Sequence, residues 1–163
     1  MDTKAYTDLK GRHQSEFNEF SEKWCFFAFS DEQFREGMEK IGPKMAEGEK
    51  VVRMATGMFC PKSKVGDLME IAGRQRRELR EAMRSPEFAK AAFFYEMANH
   101  EYHINWQADW DVCACFTSRE PCYEENSTFV TYLSADGFGE EVIQAYREAK
   151  REFYRMADEE GWF

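Results

Sequence analysis

The sequence predicts an α+β fold, a mostly helical single domain over residues 1–163 with a small two-stranded or slightly larger β-sheet near the N-terminus. Three observations predict it. WCFFAFS (residues 24–30) is a short, nearly continuous aromatic run, which suits a buried strand. KVVRMATGMFC (50–60) reads as a second strand, bulged or bent near Gly57. From Ser63 onward the apolar residues recur at helical rather than strand spacing. Both the order and the direction of the two strands stay open at this level.

Element by element, residues 5–21 read as a helix with Leu9, Phe17 and Phe20 as its buried candidates. After the first strand, Ser30 and Gln33 in SDEQ form a capping box, and Asp31 and Glu32 sit favourably in the first helical turn. That helix runs to about Ile41 and stops at Gly42-Pro43. Leu68, Ile71, Leu79 and Met83 mark a long helix ending near Arg84. Ser85-Pro86 then restarts it, serine as N-cap and proline in the first turn. Phe88, Ala92, Tyr95 and Asn99 share one face of this next helix, widened by Ala91, Phe94 and Ala98. A short helix follows over Asp109 to Phe116. The last, residues 139–159, repeats Val142, Tyr146, Ala149, Phe153 and Met156 at helical spacing.

Composition narrows the function classes. With 43% hydrophobic and 16% aromatic residues, the chain of 163 residues can bury a sizeable core. Its 31 acidic against 22 basic side chains give a net charge of −9. Such a field repels nucleic-acid phosphates, so direct nucleic-acid binding is a poor fit and a basic protein partner a good one. No apolar run approaches the roughly 20 residues that cross a bilayer. MDTKAYTDLKGRHQ has no apolar signal core, which predicts a cytoplasmic protein with reduced cysteines.

The chemistry concentrates in NHEYHINWQADWDVCACFTSREPC (99–122), which holds two of three histidines and three of five cysteines. If the helix from Pro86 continues, His100 and His103 share a face and can hold one metal ion, with thiolates as companions in a closed zinc site. Val112, Cys115 and Phe116 lie at i, i+3 and i+4, which places Cys115 on the core face. Cys113 points about 160° away in a regular helix. His100, His103, Cys113 and Cys122 are therefore the expected zinc ligands, with Cys115 and Cys60 as substitutes. The plainer alternative is five cysteines serving as small buried hydrophobes. A small zinc- or thiol-dependent enzyme is the competing function for the same residues. No Gly-rich phosphate loop or nucleophile elbow occurs.

Two charged features carry partner expectations. GRQRRELREAMR (73–84) puts Arg76, Arg80 and Arg84 on one stripe, which reads as a solvated face balanced by Glu78 and Glu81 rather than a phosphate site. DEQFREGMEK, EYHINWQADWD and REPCYEEN interleave carboxylates with aromatics, the composition of a surface that anchors on aromatics and meets lysine or arginine.

FFAFSDEQFREGMEKIG (26–42) resembles a segment of an uncharacterised family of small proteins from gut Firmicutes and their phages and mobile elements. There a FAFS-x-EQF-x-EGM-x-K-x-G block begins the first strand–helix unit. NHEY (99–102) resembles their pattern near the end of a long helix. The resemblance spans residues 7 to 116, and the first block is its specific part. In size, charge and family the chain is similar to type II-A anti-CRISPR proteins, which inhibit Cas9. The resemblance implies a non-enzymatic inhibitor acting in a bacterial host on Cas9 or its guide-RNA complex, and no catalytic residues. An interaction module of phage or plasmid biology unrelated to CRISPR is the third expectation.

Overall fold

The computed structural model describes residues 1–54, 57–105, 107–118 and 127–162. Over these it is α+β and mostly helical, with seven α-helices and one three-stranded antiparallel sheet. The helices are α1 (Lys4–Trp24), α2 (Asp31–Ile41), α3 (Val65–Ala82), α4 (Pro86–Asn99), α5 (Ala108–Ala114), α6 (Phe129–Ala135) and α7 (Glu140–Glu159). The strands are β1 (Phe26–Phe27), β2 (Val51–Arg53) and β3 (Met58–Pro61). The chain groups into two compact units, Lys10–Gln75 and Met1–Leu9 with Arg76–Phe163.

In the Lys10–Gln75 unit, the stretch predicted as one strand over 50–60 is a hairpin. Gly57 turns the chain with φ +77, and Met54 N–H bonds back to the Met58 carbonyl at 2.8 Å. β3 lies centrally, antiparallel to β1 (Phe26 opposite Phe59) and to β2 (Val52 opposite Cys60). Alternation sends Phe26, Val51 and Phe59 to one face, where they pack with Phe34, Met38 and Ile41 of α2. Met58 and Cys60 go to the other face, against Phe17, Phe20 and Trp24 of α1 and Leu68 of α3. Phe26 stacks on Phe59 at 5.3 Å, and Phe34 meets both rings edge-on.

The same geometry explains the FAFSDEQFREGM block. Ser30 caps α2 by accepting from Gln33 N–H, while the Gln33 side chain accepts from Phe29 N–H at 2.7 Å. The reciprocal bond thus reaches one residue further back than the usual box. Gly37 is buried, and a Cβ there would overlap the Phe26 ring. Phe29 lies over Gly57, whose added Cβ would come within 2.6 Å of it. Each of these residues fixes the strand–helix packing.

In the other unit, α4 is the central helix. Ala89, Ala91, Ala92, Phe93, Phe94 and Met97 are all buried, a wider apolar surface than the predicted stripe because α4 packs on several sides. Its principal partner is α7, which buries Val142, Tyr146, Ala149 and Phe153 as predicted. Phe93 is met edge-on by Phe116 (4.8 Å) and Tyr146 (4.9 Å). α6, not expected from the sequence, stacks Phe129 on Tyr146 at 4.4 Å. It ends in a Schellman motif: Gly137 (φ +80) is left-handed, and Phe138 N–H reaches the Leu133 carbonyl at 3.0 Å.

Among the described residues no helix is long and apolar enough to cross a membrane.

Candidate functional site

The end of α4 organises the candidate site. His100 and His103 share a face only if α4 continues past His100, and the helix stops at Asn99 with His100 as C-cap. Glu101 takes the left-handed position (φ 50), Glu101 N–H bonds the Ala98 carbonyl, and Tyr102 N–H bonds Met97 at 3.0 Å. This is a second Schellman motif, with buried Met97 and Tyr102 beneath it. The reversal takes His103 off the face of His100. Its ring lies instead against Trp162 (5.2 Å) and Phe153 (6.2 Å).

His100 has other companions. Glu96, one turn earlier on α4, places Oε2 3.6 Å from His100 Nε2, and Cys115 Sγ lies 3.4 Å from the same nitrogen. The ligand atoms of Glu96, His100 and Cys115 all lie within 4.8 Å of one another. Glu96 is fully buried, which is costly for a carboxylate unless neighbours compensate. Tyr6 Oη donates to Glu96 Oε1 at 2.5 Å, and Asn99 Nδ2 donates to Oε2 at 3.1 Å. Burial and the Glu96 carboxylate push the Tyr6 hydroxyl far above its ordinary range, so it stays a donor.

The two cysteines of α5 exchange the roles expected of them. Cys113 is fully buried beside Val112 and Phe116, whereas Cys115 caps the helix and is partly exposed. The core stripe is 109, 112, 113 and 116, not 112, 115 and 116. Polar Asp109 hid it. Asp109 Oδ1 accepts from Tyr146 Oη at 2.7 Å and from Tyr102 Oη, with Lys150 Nζ 3.9 Å away. Neither His103 nor Cys113 joins the Glu96–His100–Cys115 group, and Cys122 lies outside the described residues, as does Trp106. Cys60, the other substitute ligand, sits in the sheet of the Lys10–Gln75 unit.

Thiol chemistry follows from these placements. Burial raises the Cys113 thiol far above its ordinary value, and burial with neighbouring Cys25 pushes Cys60 up to about 12. Cys25 is raised too, again by burial first. These three stay protonated near neutral pH and are poor nucleophiles. Among the described cysteines, Cys115 is the one set against an imidazole. The sequence signal for this group is Glu96 and His100 at i, i+4.

A separate surface lies at the C-terminal end of α7. Through His103 and Trp162 the turn 101–104 meets that end. Ile104 (69% exposed), Trp162 (40%) and Tyr154 (39%) are open there, beside exposed Glu101, Asp158, Glu159 and Glu160. Elsewhere, a cleft of about 540 Å³ is lined by Phe129, Gln144, Arg147, Lys150 and Tyr154, and Arg147 is paired to Glu140 at 2.6 Å.

No curated protein and no solved structure matches the chain. A family match does cover residues 5–114, two thirds of its length and the whole of the strand–helix block. On that match the chain belongs to the family of unknown function DUF7659.

Proposed function

We propose that the protein is a non-enzymatic inhibitor that binds a basic protein surface, with Cas9 in its guide-RNA complex as the partner implied by the resemblance. The observation that carries this reading is the surface at the end of α7. Exposed Trp162, Tyr154 and Ile104 supply apolar anchors, and exposed Glu101, Asp158 and Glu160 lie next to them in sequence, while Glu159 is paired with Arg155. Three consecutive carboxylates at a helix C-terminus oppose the helix dipole, and α7 has no basic residue in its last turn. That arrangement costs stability and suits a cationic partner.

The charge is also unevenly held. The Lys10–Gln75 unit carries eleven acidic and eleven basic side chains and is neutral. The other unit carries twenty acidic against eleven basic, the whole balance of −9. DEQFREGMEK, expected to be part of an acidic surface, therefore sits in a unit without net charge.

A pull-down with guide-loaded Cas9 at low and high salt tests the reading. Binding is expected at low salt and weaker at high salt. Asp158→Lys with Glu160→Lys should weaken binding about tenfold while leaving stability equal or higher. No binding by the unaltered protein at low salt removes Cas9 as partner; binding indifferent to the reversal removes this surface.

A further inference from the structure

We infer that Glu96, His100 and Cys115 form a site for a divalent transition ion of the zinc class, coordinated through a carboxylate oxygen, an imidazole nitrogen and a thiolate. The inference is independent of the partner proposed above.

The spacing is the first argument. Zinc bonds of about 2.0 Å to nitrogen or oxygen and about 2.3 Å to sulfur, held tetrahedrally, put N and S about 3.6 Å apart and N and O about 3.3 Å apart. The structure has 3.4 Å from His100 Nε2 to Cys115 Sγ and 3.6 Å from Nε2 to Glu96 Oε2. The Cys115 thiol also reaches the Asp111 carbonyl at 3.5 Å and would give up its proton on coordination, while 3.6 Å is long for a charge-assisted His100–Glu96 hydrogen bond. One cation facing all three atoms satisfies them together.

Charge is the second argument. Once coordination has displaced the Cys115 proton, a carboxylate and a thiolate beside a neutral imidazole carry −2, which a divalent ion neutralises. Glu96 is the fully buried charged side chain of the described core, so a compensating positive charge matters most here.

The surroundings are the third. Metal-bound carboxylates are usually oriented by hydrogen bonds from outside the coordination sphere. Tyr6 from α1 and Asn99 from α4 do this for Glu96, one on each oxygen. Asn105 ties the turn by donating to the His100 carbonyl (3.4 Å) and to Asp111 Oδ2 (2.6 Å). Three protein donors leave one position of a tetrahedron, and partly exposed His100 and Cys115 let water or an outside ligand reach it. An ion here would clamp the end of α4 to the end of α5.

Cobalt(II) titration of the apo full-length protein tests this, because cobalt in a thiolate-containing tetrahedral site shows a sulfur-to-metal charge-transfer band and strong d–d bands. We expect one equivalent to bind with that band, to be displaced by zinc, and to raise the unfolding midpoint. Cys115→Ser should abolish the band, and His100→Ala or Glu96→Gln should weaken binding at least about tenfold. Circular dichroism confirms that each variant is folded. The Glu96→Gln side chain can still accept from Tyr6, which guards against a mere folding defect. Cobalt binding without a thiolate band, or a band and affinity unchanged in Cys115→Ser, overturns the site.

Discussion

Two backbone positions show how single residues set the local geometry, and they predict opposite responses to substitution. Gly37 is inside α2, where alanine would normally favour the helix, yet the Phe26 ring occupies the space a Cβ would need. Gly37→Ala should destabilise the protein by about 1–3 kcal/mol through this overlap, measured by urea unfolding. Glu101 is the converse, a side chain held at φ 50 where Schellman motifs usually place glycine. Glu101→Gly should raise stability by about 0.5–1 kcal/mol, the relieved strain outweighing the added freedom of the unfolded chain. A neutral or destabilising result would show that Glu101 makes contacts worth more than its strain.

Between elements, the informative contact is Arg80. Its guanidinium bonds Asp136 Oδ2 at 2.6 Å and the Asp136 carbonyl at 2.5 Å, and lies 4.2 Å over the Phe138 ring. Ser118 N–H meets the other Asp136 oxygen at 3.0 Å, so one carboxylate joins α3, the segment after α5 and the α6–α7 turn. The arginine stripe read as a solvated face is one where Arg84 is concerned, paired with Glu81 on the surface. Arg80 departs from it because a guanidinium fork suits both an oxygen pair and an aromatic face. Arg80→Ala should cost about 1–3 kcal/mol, and Arg80→Lys should recover less than half of it, since an ammonium cannot make the fork. Full recovery by lysine in denaturant titrations would contradict the geometric account.

At the scale of the whole molecule, acid sensitivity follows from carboxylates held below their ordinary value of 4.5. Glu16 is lowered first by its hydrogen bond from Gln75, and Glu49 by those from Ser63 and then Ala46. In the other unit, its own backbone N–H and then Ser85 lower Glu87, and Arg155 lowers Glu152. A lowered folded value contributes stability that is complete above 4.5 and lost as pH falls through the folded value. Both units should therefore lose stability below about pH 4.5, seen as falling urea midpoints, with Glu49→Gln flattening the slope. A midpoint constant from pH 6 to 3 would show these bonds persisting in the unfolded chain.

Much of the architecture was legible in local sequence. Ser30 with Gln33, Gly42-Pro43, Ser85-Pro86 and the spacing from Val142 to Phe153 act through neighbouring residues, so each marks its element without knowledge of the rest. The aromatic block announced a strand–helix unit for the same reason, because Phe26, Ser30 and Gly37 interact within a dozen residues. What tertiary structure alone decided was which polar groups are interior. Asp109 and Glu96 look like surface carboxylates in the sequence. Tyr102 and Tyr146 draw in the first, and Tyr6, ninety residues away, draws in the second. The bonds to Asp109 hold α5 with Cys113 in the core and Cys115 facing His100, and periodicity along one helix cannot report a partner on another.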